Sequence, residues 1–361
     1  MSSVVIYCRS GFENDAAAEI NHHAQLQSVA GYVKAKPNTG FVTFECFAKE
    51  DAERLLKQID FKSLVFARQW FAGTLLSGMP LEDRVGEIKQ CVADFPLCGE
   101  LRVETPDTNE GKELSKFCKK ISTPLAKSLE KQNKLTRNVK PQKPVLHVLF
   151  LANDTAYVGF SFSDNNSPFF MGIPRLRMPA DGPSRSTLKL DEAFNVFLTK
   201  EQAEERVRPG MRGVDLGACP GGWTYQLVRR GMFVAAIDNG PMNDKLMESG
   251  QVKHFREDGF KYRPEKRNID WLVCDMVEKP SKVTQLMIDW IVNGFVKELI
   301  FNLKLPMKKR FDSVYECLQL IDDELAHYNV GYKLQAKHLY HDREEVTVHI
   351  QVLKVPQNLY S

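Results

Sequence analysis

The strongest chemical signal in the chain is the segment 214–223, VDLGACPGGW, in which an apolar strand ends on an acid and a glycine-rich turn feeds a helix. Gly217, Gly221 and Gly222 let the backbone approach a ligand closely, and the first helical turn offers N–H groups without intrahelical acceptors. That combination suits a nucleotide-like ligand. A dinucleotide turn needs G-x-G-x-x-G and a P-loop needs a closing Gly-Lys-Ser/Thr, and this segment has neither. Pro220 also removes one N–H donor, which weakens the turn as a pyrophosphate cradle. The plainer reading is an ordinary tight strand-to-helix turn.

Asp-x-Gly-x-x-Pro-Gly-Gly resembles motif I of S-adenosylmethionine-dependent methyltransferases, in the form found in FtsJ-type RNA ribose 2′-O-methyltransferases. The resemblance implies cofactor contacts at Cys219, Pro220, Gly221 and Gly222, and at Ser186 ahead of the first helix. Asp238, which ends the second strand, would accept the ribose hydroxyls. Asp258, after the third strand, would meet the adenine, although a lone Asp at a strand end is usually a turn former. Lys189 in SRSTLKL, Asp275 after WLVC, Lys304 after IFNL and Glu345 before VTV look like the family's Lys-Asp-Lys-Glu tetrad, with Asp275 also on the cofactor side. Strand ends of a parallel sheet are where such sheets place ligands. Taken singly, each of the four is a charged residue of the kind that usually faces solvent.

Two glutamates compete for the last tetrad place. Alternation puts Glu344 in phase with Val346 and Val348, whereas Glu345 directly precedes the apolar strand, as the family's glutamate does. Glu345 is favoured. On this pattern Lys304 serves as the general base for a ribose hydroxyl or as the cation that steadies its developing alkoxide, and both roles stay open.

The segments 340–349 (YHDREEVTVH), 302–310 (NLKLPMKKR) and 274–280 (CDMVEKP) extend the resemblance. They make the whole chain similar to bacterial 23S (large-subunit) rRNA cytidine 2′-O-ribose methyltransferases, which carry an N-terminal ferredoxin-like unit and a THUMP domain. That implies 23S rRNA or a pre-ribosomal large-subunit particle as partner. The cytidine comes only from the resemblance.

The elements that must position these residues follow from periodicity. The order β-α-β-β-α-β over residues 1–78 predicts a ferredoxin-like unit, with helices at 12–23 and 49–59 and a strand at 63–76. Residues 79–166 form a second α+β unit, assigned to the THUMP-type RNA-binding domain by domain order, with a long helix at 112–134. Residues 167–185, with four prolines and Arg175, Arg177 and Arg185, read as an extended basic linker. From 186 to 361, strands alternate with helices and end in two consecutive strands. This predicts a Rossmann-like, mostly parallel sheet with an antiparallel edge hairpin.

Composition narrows the classes. At 361 residues, 43% hydrophobic and 26% charged, the chain is globular and large enough for two domains. Its longest apolar run, 232–237, is far too short to cross a bilayer, so a soluble cytoplasmic protein is expected, with a monomer plausible. Eight cysteines without a C-x-x-C spacing read as reduced thiols, and the pair His338 and His341 lacks further ligands, so no metal is expected. Net charge is only +3, yet residues 101–143 hold eleven Lys and Arg against five Asp and Glu. Lys112, Lys116, Lys119, Lys120, Lys127, Lys131 and Lys134 recur mostly at helical spacing, as a phosphate-binding face or a solvated one.

Four other readings compete. An exocyclic amine methylase would show Asn/Asp-Pro-Pro-aromatic where Asp275-Met276-Val277 stands, and a cytosine-C5 enzyme would place nucleophilic cysteines at strand ends, whereas Cys274 lies inside its strand. A nicotinamide oxidoreductase lacks its fingerprint. An rRNA-binding assembly factor that kept the fold but lost catalysis is the alternative from another class, and an intact Lys304 and glycine turn count against it.

Overall fold

In the computed structural model, which describes residues 1–354, the chain divides between Ile173 and Pro174 into two units. The first runs β1 (Ser3–Tyr7), α1 (Glu13–Leu26), β2 (Gly31–Ala35), β3 (Phe41–Cys46), α2 (Asp51–Gln58), β4 (Gln69–Leu76), α3 (Arg84–Cys91), β5 (Glu100–Glu104), α4 (Asn109–Lys131), β6 (Val145–Ala152) and β7 (Thr155–Ser161). The stretches expected at 1–78 and 79–166 share one seven-stranded sheet, ordered β2-β3-β1-β4-β7-β6-β5. Their seam is the antiparallel pair β4–β7, where Gly73 faces Gly159. A Cβ on Gly159 would collide with the Ala72 carbonyl, so the backbones meet there only because a side chain is missing.

Helix α4 is capped by Thr108, whose hydroxyl accepts from the Gly111 N–H at 3.0 Å. It buries Cys118, Ile121, Leu125 and Leu129 at steps of three and four. Lys112, Lys116, Lys119, Lys120, Lys127 and Lys131 are exposed and fall on the opposite arc of the helix. Lys134 departs from the expected stripe, because its ammonium donates to the Phe95 carbonyl at 2.7 Å.

The basic linker is not free along its length. The Arg102 guanidinium donates to the carbonyls of Ser167, Pro168 and Phe169, and the buried Glu104 carboxylate accepts from the Met171 N–H at 2.5 Å. Residues 167–171 therefore belong to the first unit, tied to β5.

The second unit runs α5 (Thr187–Phe197), α6 (Lys200–Arg206), β8 (Arg212–Leu216), α7 (Gly222–Arg229), β9 (Phe233–Ile237), α8 (Asp244–Glu248), β10 (Val252–Phe255), β11 (Ile269–Cys274), α9 (Pro280–Val292), β12 (Val296–Lys304), α10 (Arg310–His327), β13 (Gly331–Lys337) and β14 (Glu345–Lys354). Its sheet has the order β10-β9-β8-β11-β12-β14-β13. The first five strands are parallel and β14 pairs antiparallel with both β12 and β13, which is the Rossmann-like arrangement with a terminal hairpin. Trp271, Val273 and Ile300 pack with Leu190, Phe194, Trp223 and Leu227 in one buried cluster. Consecutive strands turn in opposite directions from β8, with β9 on one side and β11 on the other. The crevice at such a switch point is where open α/β sheets hold ligands. No helix among the described residues is long and apolar enough to cross a membrane.

Candidate functional site

The glycine turn leaves β8 at this switch point. Asp215, fully buried, accepts from the Thr224 hydroxyl at 2.7 Å through Oδ2, while Oδ1 has no hydrogen-bond partner among the described residues. Gly217 (φ +79°) and Gly221 (φ +115°) hold conformations that L side chains rarely adopt. A Cβ on Gly221 would lie 2.5 Å from Leu246 Cδ2, and one on Gly222 would collide with the Ser186 hydroxyl. Ser186 is thereby drawn against the start of α7, with its Oγ 2.9 Å from that of Ser184.

Asp238 closes the turn. Its Oδ2 accepts from the Cys219 N–H at 3.0 Å and its Oδ1 from the Gly240 N–H at 2.8 Å. Each carboxylate oxygen keeps a lone pair for a further donor. Pro220 is exposed and leads into the buried Gly221. Asp258 is exposed and accepts from the Phe260 N–H at 2.9 Å, the geometry of a turn former. The bare backbone at Gly217 to Gly222, the α7 N-terminus and the half-buried Asp238 carboxylate fit a ligand with a hydroxylated sugar.

Burial pushes the Asp215 carboxyl up to about 7, against the pull of the Thr224 hydroxyl and with help from the charge on Asp275. A raised acid pKa means that the folded state holds a proton the unfolded chain has released. Stability is therefore lost as pH climbs from the ordinary carboxylate range through about 7. Asp215→Asn should remove a slope of up to ~1.4 kcal/mol per pH unit, so ligand-free thermal melts should show the variant gaining on wild type as pH rises from about 5 to about 8. Parallel pH dependences in the two proteins would mean that Asp215 is already ionised when folded.

Further along the same sheet edge, Lys189 of α5, Asp275 after β11, Lys304 ending β12 and Glu345 opening β14 come together. Asp275 is shared: Lys304 Nζ reaches its Oδ1 at 2.5 Å and Lys189 Nζ its Oδ2 at 3.4 Å. Glu345 pairs with Lys189 and lies 3.8 Å from Lys304 Nζ. Burial opposes the charge on Lys189, but Asp275 and Glu345 outweigh it and hold the ammonium above its ordinary pKa. Two cations against two anions leave the cluster neutral, which makes its partial burial tolerable. Glu345 sits directly across from Lys304 in the β12–β14 register. Glu344 points elsewhere, exposed and paired with Arg310 at 2.7 Å.

Sequence reasoning missed Asn302. It is completely buried, two residues before Lys304 on β12, and its Nδ2 donates to Asp275 Oδ1 at 2.9 Å. A lone amide inside the apolar run LIFNL was its only signal. His338 Nε2 lies 3.1 Å from the Arg343 carbonyl, and the backbone N–H of His341 donates to Glu192.

Family models match three consecutive stretches: the RlmM ferredoxin-like domain over residues 1–71, the N-terminal region of ribosomal RNA large subunit methyltransferase M over 83–162, and FtsJ-like methyltransferase over 183–307. The ribosomal RNA large subunit methyltransferase M of Pseudoalteromonas translucida (strain TAC 125) is 74% identical over 361 residues, covering all of both chains. That of Shewanella sp. (strain MR-7) is 56% identical, covering 98% of each. Among solved structures, Aeropyrum pernix fibrillarin with natively bound S-adenosyl-L-methionine aligns at 12% identity and a TM-score of 0.33, over 56% of this chain and 81% of that one.

Proposed function

The chain belongs to the ribosomal RNA large subunit methyltransferase M family, S-adenosylmethionine-dependent methyltransferases of rRNA, and from that premise we propose that it methylates the ribose 2′-oxygen of a cytidine in 23S rRNA. The observation that carries the ribose reading is the Lys189–Asp275–Lys304–Glu345 cluster at the strand ends beside the glycine turn.

The cofactor supplies a methyl group already activated on a sulfonium, so the chain's own residues must align an oxygen and manage one proton. Alignment is the large term, worth about 7–11 kcal/mol for a well-held pair. In the proposal, the glycine turn, Ser186, Cys219, Pro220 and Asp238 hold the cofactor, Asp258 flanks its base, and Asp275 borders it from the tetrad. Lys304 takes the 2′-hydroxyl proton or steadies the alkoxide, aimed by Asp275. Glu345 and Lys189 complete the charge balance around that ammonium. In the proposal, residues 1–78 are the ferredoxin-like unit, 79–166 the THUMP-type RNA-binding domain, 167–185 the linker and 186–361 the catalytic domain, whose residues 355–361 lie outside those described.

Alkali distinguishes a ribose product from a base product, because a 2′-O-methyl group blocks attack of that oxygen on the neighbouring phosphate. Labelled methyl transferred to unmodified 23S rRNA should be recovered in an alkali-resistant dinucleotide with cytidine on its 5′ side. Label recovered in an ordinary mononucleotide would overturn the ribose reading, and absence of any transfer would favour the assembly-factor alternative.

In the same proposal, the exposed lysines of α4 contact rRNA phosphates. Changing Lys116, Lys119, Lys120 and Lys127 together to Glu should lower rRNA affinity by about a hundredfold or more at moderate salt. The salt dependence should flatten as well, because fewer counterions are released on binding. Cofactor affinity should not move. An unchanged salt slope in filter binding would make this helix a solvated face only.

A further inference from the structure

We propose that Asp342 is a positioning residue that works as a neutral acid, feeding one proton into a buried chain, Asp342–Thr347–Asn302, that orients Asp275 toward Lys304. The inference rests on the tetrad reading above.

Asn302 and Thr347 face each other across the β12–β14 register, each two residues inward from Lys304 and Glu345 respectively. Asn302, Thr347 and Asp342 are all completely buried, so no solvent satisfies them. The carboxylate Asp275 cannot donate, so the Asn302 group facing it must be the amide NH2. Asn302 Oδ1 is thereby left as an acceptor that needs a donor. The Thr347 hydroxyl lies 2.8 Å from it, and equally 2.8 Å from Asp342 Oδ2. A hydroxyl has one proton to give. If it serves Asn302, two oxygens face each other at 2.8 Å with nothing between them unless Asp342 carries the proton.

The surroundings of Asp342 favour that proton. The Leu339 N–H donates to Oδ2 at 3.0 Å, while Oδ1 has no hydrogen-bond partner among the described residues. An ionised oxygen left bare at such a site is far costlier than a neutral one. Glu192 of α5 and Glu345 of β14 add negative potential, partly offset by Lys189 of α5. Burial first, then those two carboxylates, push the acid up to about 8 against the pull of Thr347 and the Leu339 N–H.

With Asp342 protonated, every donor in the chain points one way: Asp342 to Thr347, Thr347 to Asn302, Asn302 to Asp275. When Asp342 ionises, it competes for the Thr347 proton, Asn302 Oδ1 loses its donor, and the amide's hold on Asp275 weakens. Asp275 is the shared partner of both lysines, so the loss reaches Lys304 without any contact to substrate.

The test compares full-length Thr347→Val, Thr347→Ser and Asp342→Asn with wild type in methyl transfer to rRNA. Thr347→Val keeps the shape and loses the hydroxyl, so kcat should fall about tenfold, with KM for rRNA and cofactor Kd within about twofold. Thr347→Ser should restore kcat. Asp342→Asn offers an N–H donor that does not titrate, so the ratio of its kcat to that of wild type should rise severalfold from about pH 7 to about pH 9.5. A flat ratio, or wild-type kcat in Thr347→Val, would overturn the proposal. Should Asp342→Asn fail to bind cofactor, the Thr347 pair still decides, because a merely structural role predicts loss of binding together with kcat. Lys304→Ala, run alongside, separates the two readings: activity in that variant sinks the tetrad, whereas an inactive Lys304→Ala with a fully active Thr347→Val sinks only the relay.

Discussion

Lys304→Ala should abolish methyl transfer to rRNA, by about a thousandfold or more in kcat, while cofactor and RNA affinities stay within about twofold. The lysine ends β12 and stands across from Glu345, so a strand end and its register place it, independently of the residues that would hold the cofactor. Removing it leaves Lys189 still paired with both Asp275 and Glu345, and the site keeps a cation between its two carboxylates. Loss of activity would therefore report lost chemistry, with the scaffold intact. Lys304→Arg divides the two roles. A guanidinium stays charged at every accessible pH and cannot take a proton, so a base requirement makes Arg as inactive as Ala. Substantial activity in Arg but not in Ala would assign the residue to electrostatic stabilisation alone. Single-turnover transfer of labelled methyl, with calorimetric cofactor binding on the same preparations, makes the comparison. Near wild-type transfer by Lys304→Ala would remove the tetrad from the mechanism.

The sequence revealed most where one local rule acted alone. The strand that leads to Asp238, Phe233–Ile237, falls where expected because it is a short apolar run closed by turn residues. The strand expected at 63–76 starts only at Gln69. Upstream, the N–H groups of Val65 and Phe66 are taken by the Glu19 carboxylate, a partner 46 and 47 residues away that no window contains. Helix α6 was missed although its signal was present: Thr199 and Gln202 form a reciprocal capping box. The shared sheet of the first unit was illegible because its seam joins β4 to β7 through two glycines that local pattern cannot pair.

At the candidate site the same division holds. The glycine turn is contiguous, so the sequence displays it whole. Glu344 and Glu345 could not be separated by alternation because β14 is buried on both faces over its first six residues, where a period of two carries no information. Register sets Glu345 against Lys304, while the Glu344 carbonyl accepts from the Leu305 N–H outside the strand. Asp342 was illegible for another reason: it lies in a loop, where a charged residue usually faces solvent, yet it is completely buried.

Gly221→Val should weaken S-adenosylmethionine binding by more than about thirtyfold, with rRNA affinity unchanged. The expectation rests on backbone alone. At φ +115° a β-branched residue is strained wherever its side chain goes, and its Cβ would meet Leu246 2.5 Å away and Met242 at 3.1 Å. The Leu246 and Met242 side-chain ends can shift, but to relieve the backbone strain the turn must move, and with it the N-terminus of α7 and the Cys219 N–H that Asp238 holds. Gly221→Ala carries the strain with less bulk and should fall between the two. Asp238→Ala is the less discriminating variant, because it frees the Cys219 and Gly240 N–H groups as well as removing a ribose acceptor, so weakened binding there has two causes. Calorimetric titration of the cofactor measures all three variants, with far-UV circular dichroism confirming that the sheet survives. Wild-type affinity in both Gly221→Val and Asp238→Ala would mean that this turn does not hold the cofactor. The tetrad, placed by different strands, would then need a cofactor site elsewhere along the sheet edge.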